Sequence, residues 1–528
     1  MAYFDKTENE RELSIFRTVA NAGSDIVKDC IVPDTYGDVK KILATSARLS
    51  PHAENPEEDG VVMSGSVMAT VLFLTEEGEV GSLSVESEYE SRVALTAQNG
   101  FVHIHSFPIL ENLQGRLINP RKIGIRAHVK PNLYVWEDAD TLPRFADSVT
   151  DEDRMTFEEK TERIPYTAIE SFSAEGVESG DDLTLDAPYL PIHKLLLENV
   201  SFSSVSAEAR EGAVAVNANA ELTVWYLGKG EEGSYPLCLY RHSLPISTLI
   251  ECDGVKEGQT VTASLYWEEG SFAPAENEQG EARVLECDIT YGVRVMTVSE
   301  KVGYCTKDMY STRYESTLTF GECRVAQKME KTAASLFARS SFPLKEGAVP
   351  LGASCVLKQY HVEPSDDMRA VFCGTCSATV ILKQPSGICG VETVEIPFST
   401  ALSIAYDKER EYAVLPSLGA AEAKAVGEEV TVSLSLSCTV LSFESARVSA
   451  VTEALLTAEY GQGQKGFTVY YPGAKETTWD IAKKYRVREE DLVFAEGDAP
   501  SSSKKRRAVM ILPKNEPLYH SVISDFGT

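Results

Sequence analysis

Apolar and polar residues trade places with period two over 429–441, Glu-Val-Thr-Val-Ser-Leu-Ser-Leu-Ser-Cys-Thr-Val-Leu, the pattern of a strand with one face buried and the other wet. The same alternation runs through 62–74, 214–226 and 371–382. Each of those stretches is followed by a polar turn, such as 75–79 or 228–233, and then by another alternating stretch centred on Tyr89, Leu244 or Phe398. The phrases recur roughly every 155 positions. The openings Val32-Pro33, Leu190-Pro191 and Val349-Pro350 keep that spacing, and Gly65, Ala218 and Gly374 fall together in mid-strand, where a small residue suits a bulge or a close backbone approach. The expectation is three copies of one β domain, a sandwich or a barrel, at 24–145, 183–305 and 341–460 behind a lead segment at 1–23.

Between the copies the texture changes. Over 151–170 and 308–340 charged residues alternate with Met, Phe, Leu and Ala at roughly helical spacing. This predicts helical or mixed connectors at 146–182 and 306–340.

From 466 the pattern changes again. Phe467, Val469 and Tyr471 alternate as a strand, and Thr477 can cap a helix with Asp480 three residues on as its capping-box partner. Ile481, Ala482 and Tyr485 would be that helix's buried stripe. A second short helix is expected at 489–495, where acidic residues in the first turn suit the positive end of the helix dipole, and Val509, Ile511 and Leu512 supply a closing strand. The predicted fold is therefore mainly β, with three sandwich or barrel-like domains, mixed helical connectors, a small α+β domain of βααβ order at 466–513 and a tail at 514–528.

Charge and cysteine content narrow the function classes. The chain of 528 residues carries a formal net charge of -30, which disfavours nucleic acid and anionic membrane surfaces, since both are bound through Lys and Arg. The first residues offer no basic segment followed by an apolar one, and no apolar run approaches the roughly 20 residues of a spanning helix, so a cytosolic chain without membrane insertion is expected. Eleven cysteines without tight spacing suit reduced thiols better than a disulfide framework.

Chemistry-bearing motifs are sparse. Cys373-Gly-Thr-Cys376 has no second pair at zinc-ribbon spacing, and residues i and i+3 of a strand face opposite ways. His103 and His105 would share one strand face but lack a third ligand in the sequence. His193 and His242 have no flanking motif of a Cys-His nucleophile pair, and the chain contains no phosphate loop, dinucleotide fingerprint or GxSxG elbow. Neither a catalytic site, a metal site nor a cofactor is expected, and the paired acids Glu57, Glu58 and Asp59 fall in a loop.

The 466–514 segment departs from the acidic remainder. It holds ten Lys or Arg against seven Asp or Glu, a net of +3 in a chain of -30. Lys483, Lys484, Arg486 and Arg488 lie in and after the predicted helix, and Lys504, Lys505 and Arg507 precede the closing strand. One basic surface around an apolar centre of Trp479, Ile481 and Leu492 is the expected partner site.

The order of strand, Thr-Thr-Trp479-Asp-Ile481-Ala, Tyr485, Val487, Leu492 and a final Ile-Leu-Pro513 resembles a LysM module. With three β domains ahead of it, the arrangement resembles the SPOCS-domain proteins of endospore-forming bacteria. That resemblance implies a non-enzymatic scaffold of the mother-cell cytosol, acting at the forespore surface in spore coat assembly. It also implies a partner, the coat basement-layer ATPase known as stage IV sporulation protein A, beside other coat proteins. LysM modules typically bind N-acetylglucosamine glycans such as peptidoglycan, which is the alternative ligand. This chain has Lys475 and Glu476 where the family usually has Gly and Asp, and Glu496 near its usual Asn. Free edges on the long strands make self-association through sheet pairing a further expectation.

Overall fold

The computed structural model describes residues 12–19, 23–57, 60–94, 103–140, 143–146, 149–345, 347–460, 468–473, 475–494 and 509–511. Its first third contains β1 (Glu12–Val19), β2 (Ser24–Ile31), β3 (Val39–Glu57), β4 (Gly60–Thr75), β5 (Val80–Ala94), β6 (His103–Ser106), β7 (Ile109–Asn119), β8 (Lys122–Lys130) and β9 (Leu133–Asp140). β3, β4 and β5 form one antiparallel sheet in that order, and β2, β8 and β7 form a second. Their inward faces meet in a core that includes Val67, Val71, Phe73, Ile123 and Val129.

A short strand β10 (Arg144–Phe145) and one helical turn α1 (Asp151–Arg154) lead to β11 (Phe157–Thr184), β12 (Ile192–Arg210), β13 (Ala213–Gly228), β14 (Leu237–Glu251), β15 (Thr260–Ala275) and β16 (Val284–Ser311). The strand order repeats, β12-β13-β14 against β11-β16-β15. It occurs a third time in β17 (Tyr314–Pro343), β18 (Val349–Pro364), β19 (Arg369–Lys383), β20 (Cys389–Ala405), β21 (Glu411–Val426) and β22 (Glu429–Glu459). The chain is mainly β, and no sheet among the described residues closes on itself.

The two stretches expected to be helical or mixed connectors are strand instead. β11 is a continuous strand of 28 residues and β17 one of 30, and among the described residues of the two stretches only α1, a single turn capped by Thr150 and Asp153, is helical. Each supplies an edge of the second sheet of the copy that follows it. The physical reason differs between the two. In β17 the extra residue at the Ala326/Lys328 register shift interrupts the alternation, whereas in β11 Tyr166, Thr167, Ala168 and Ile169 are buried in succession, so both faces are covered and the period of two is lost.

The mid-strand small residues do what their position suggested. A Cβ on Gly65 would lie 2.7 Å from the Tyr89 ring, and one on Gly374 would lie 2.6 Å from Phe398 Cζ. Gly65 pairs with Tyr89 and Gly374 with Phe398, whereas Ala218 pairs with Ile246 and the expected anchor Leu244 sits opposite Ala220.

Where the alternation breaks into a continuous apolar run, both faces of the strand are covered. In Val71-Leu72-Phe73-Leu74, the odd residues enter their own core, while Leu72 and Leu74 turn outward to meet Leu196, Trp225 and Ile381 of the other two copies. Tyr134, Trp136, Ile169, Met296, Leu415 and Phe443 form a second core drawn from all three. The three copies are thereby interlocked. Ser46 Oγ donates to Asn199 Oδ1 at 2.9 Å, the Arg241 guanidinium to the Ala353 carbonyl at 3.0 Å, and Lys130 Nζ lies 4.3 Å from the Tyr360 ring.

The long strands outrun these cores. β11, β16, β17 and β22 continue together as a stalk, filled first by Ile164, Tyr166, Cys305, Val325 and Val448 and then, at its far end, by Phe157, Met309, Val451 and Ala454.

One histidine is expected to make the assembly acid-sensitive. His105 on β6 is fully buried against Tyr134, its Nδ1 lies 2.7 Å from Ser171 Oγ on β11, and burial pushes its pKa down to about 4. The unfolded chain binds a proton near pH 6.5 that the folded chain refuses, so stability is lost as pH falls from that value through 4. Wild-type protein should lose roughly 2 kcal/mol between pH 7 and pH 5 from this residue alone. Urea unfolding of His105→Gln should lack that component. An unchanged pH slope in the variant would show that other groups carry it.

Candidate functional site

The end of the stalk carries a small module built of β23 (Thr468–Tyr470), α2 (Thr478–Tyr485), a 3-10 turn at Glu489–Asp491, β24 (Leu492–Phe494) and β25 (Val509–Ile511), with its sheet in the order β23-β25-β24. Thr477 begins α2 as the capping pattern predicts. Its Oγ1 accepts from the Asp480 amide at 3.3 Å, and its own amide donates to Asp480 Oδ2 at 2.9 Å. Arg486 ends the helix in the left-handed region at φ +59°, and its guanidinium carbon lies 3.4 Å from the centre of the Tyr460 ring.

Within the second helix expected at 489–495, the helical part of the described residues is only the 3-10 turn, and Ala495 lies outside the described residues. Leu492, Val493 and Phe494 then run as strand beside β25, because aromatic and β-branched residues suit a pleated pairing surface. Of the residues expected to alternate in the first strand, Phe467 lies outside the described residues, while Val469 and Tyr471 point outward and Tyr470 packs inward.

Trp479, Ile481 and Leu492 are buried, and so form no exposed patch. Ile481 and Leu492 fill the module's own core with Ala482, Val487, Val509 and Ile511. Trp479 instead joins the module to the stalk. Its indole N–H donates to Asp308 Oδ2 at 2.9 Å, and its ring meets Tyr310 edge-on with centroids 5.0 Å apart. Lys483 Nζ donates to the same Asp308 at 2.6 Å, the Tyr310 hydroxyl donates to the Val487 carbonyl at 2.7 Å, and Arg488 pairs with Glu158 at 3.5 Å. Burial, aided by the carboxylates around it, pushes the Tyr310 phenol well above its ordinary pKa, which keeps it a donor.

The expected basic surface is thus partly spent within the chain. Lys483 is held by Asp308, and Lys484 donates to the Tyr470 hydroxyl at 2.9 Å over the faces of Tyr470 and Tyr485. Lys504, Lys505 and Arg507 lie outside the described residues. Asp308, Tyr310 and Glu158 carry the docking from the stalk side, and no motif marks them; their only sequence signal is acidic and aromatic residues on β11 and β16, in stretches whose pattern resembles a connector.

What the module leaves open is the outer face of its sheet. Val469, Met510 and Val493 are cross-strand partners and share that face, none of them buried, and Tyr471 beside them is 65% exposed. Phe494, at the strand end, is exposed as well.

The other candidates separate. His193 stacks on Tyr235 and His242 on Tyr240, and none of the ten cysteines whose side chains are described is in a disulfide. Cys376 faces the third copy's core while Cys373 faces outward, so the CxxC is split across the sheet. A cavity of about 510 Å³ between the three copies is lined by residues such as Phe202, Tyr266, Arg294 and Leu415, with the Arg294 guanidinium held by Glu54 and by the Ser106 carbonyl.

The fold and site define a mainly β protein with a small mixed module docked at the end of a stalk, and no helix among the described residues is long and apolar enough to cross a membrane. Comparison with protein-family models, curated proteins and solved structures finds no match for the chain.

Proposed function

We propose that this protein is a non-enzymatic scaffold whose C-terminal module presents one face to a protein partner. The observation that carries the reading is the apolar row Val469, Met510 and Val493 beside exposed Tyr471, held outward by a module whose opposite side is fixed to the stalk. A row of that kind is an anchor for a partner, because aromatic and aliphatic groups at the centre of a patch carry most binding energy. The interlocked copies supply a rigid support, with no catalytic constellation needed.

The resemblance supplies the partner. The copies are read as SPOCS-type β-sandwich domains and the module as LysM, which places the protein in the mother cell at the forespore surface and makes the coat basement-layer ATPase its partner, beside other coat proteins. Lys484 and Arg486 rim the module and guide encounter with an acidic surface on that ATPase.

Full-length protein should recover the ATPase in a pull-down, and Val469→Asp with Tyr471→Asp should reduce recovery by about tenfold or more, since such anchors are worth at least roughly 1.4 kcal/mol. Both positions are exposed, so the fold survives the changes. Equal recovery would refute the docking face. Sedimentation of wild-type protein with purified peptidoglycan, in the absence of any ATPase recovery, would support the glycan reading instead.

A further inference from the structure

We propose that the third copy carries a divalent metal site, with His361, Glu363 and Cys373 as its ligands and one coordination position open to solvent. β18 and β19 pair so that His361 lies directly opposite Cys373, and Glu363 follows two residues along β18 on the same face. The core face of the same strands holds Tyr360, Val362 and Phe372, so the three donors point out of the sandwich together.

The separations fit one ion. His361 Nε2 lies 3.3 Å from Cys373 Sγ and 3.2 Å from Glu363 Oε2, and all three donor atoms lie within 4.8 Å of one another. Ligand atoms on a tetrahedral Zn²⁺, with bonds of about 2.0–2.3 Å, stand roughly 3.3–3.6 Å apart. A set of one sulfur, one imidazole nitrogen and one carboxylate oxygen suits Zn²⁺ or Co²⁺ and not Mg²⁺ or Ca²⁺, which take oxygen. Cys373 is buried while His361 and Glu363 are exposed, so an ion enters from solvent and keeps its fourth position on the solvent side.

The donors are not a requirement of the fold. At the corresponding register positions the first copy has Ala53, Asn55 and Ser64, and the second has Ser206, Glu208 and Asn217. Neither offers a sulfur or an imidazole, and both form the same hairpin.

The test uses full-length protein, reduced and freed of metal with a chelator, then titrated with Co²⁺ and separately with Zn²⁺. One Co²⁺ per chain should bind with a thiolate-to-metal charge-transfer band in the near ultraviolet, and Zn²⁺ should displace it. Cys373→Ser should abolish the band, while His361→Ala and Glu363→Gln, both at exposed positions, should weaken Zn²⁺ at least about tenfold, since even outer partners of a metal ligand are worth that much. Cys238→Ser, on a different copy, should leave binding intact. Urea unfolding of each variant, run alongside, separates lost ligation from lost folding. Absence of a stoichiometric site in the wild type, a band that persists in Cys373→Ser, or undiminished affinity in folded His361→Ala would each overturn the assignment.

Discussion

Replacing Trp225 by alanine is expected to destabilise the protein by about 3–5 kcal/mol and to weaken all three copies together. Trp225 is 1% exposed and sits where the copies meet, among Leu43, Leu72, Leu196 and Ile381. Its ring is so close to the third copy that a Cβ on Gly352 would stand 3.1 Å from its Cη2. The alanine leaves a cavity that three rigid sheets cannot collapse to fill, so the lost contacts are not recovered. Urea unfolding followed by hydrogen exchange measures the effect. Protection should fall in β4 and β19 as well as in β13. Loss confined to β13 and its sheet neighbours would mean that the copies fold independently and the shared core adds little.

The second large effect is expected at Glu54. Its carboxylate on β3 receives the Arg294 guanidinium from β16 and the Ser106 amide from β6, at a junction where the Arg294 side chain is only 9% exposed. Burial already lowers the Arg294 pKa to about 10. Glu54→Ala leaves that guanidinium buried without its counterion, which should cost about 3–5 kcal/mol. The double variant Glu54→Leu, Arg294→Met removes both charges and should return to near wild-type stability, because the pair's attraction is largely offset by its desolvation. Thermal or urea unfolding of the three proteins decides it. A single variant within about 1 kcal/mol of wild type would show that water entering the neighbouring cavity solvates the freed arginine.

Much of the strand content was readable from alternation alone. Over 429–441 the inward residues Val430, Val432, Leu434, Leu436, Cys438 and Val440 are all buried in the third copy's core. The recurrence of small residues at Gly65 and Gly374 marked the places where an aromatic ring of the next strand crosses the backbone. Thr477 and Asp480 form the capping box that their spacing announced. Signals of this kind are local, fixed by a few neighbouring residues, and survive whatever the rest of the chain does.

Other features were present but misleading. A bulge in β17 and burial of both faces in β11 hid two long strands behind an apparent helical period, and 489–495 looked like a helix start although Leu492, Val493 and Phe494 are strand residues by type. The continuous apolar runs at 71–74 and 224–227 mark a second buried face, and the contacts between copies lie on it.

The sequence by itself determined that the chain is mainly β, that its strand phrases recur three times, and that a short capped helix stands near its end, because periodicity and capping depend on residues close in the chain. Only the tertiary structure decided which faces are left over. Trp479 and Lys483 read as a free basic and aromatic surface until Asp308 and Tyr310, more than 160 positions away, are brought against them by the docking of the module. His361, Glu363 and Cys373 became one cluster only when the pairing register set β18 against β19. Contacts of that range rest on register and packing, which no local pattern encodes.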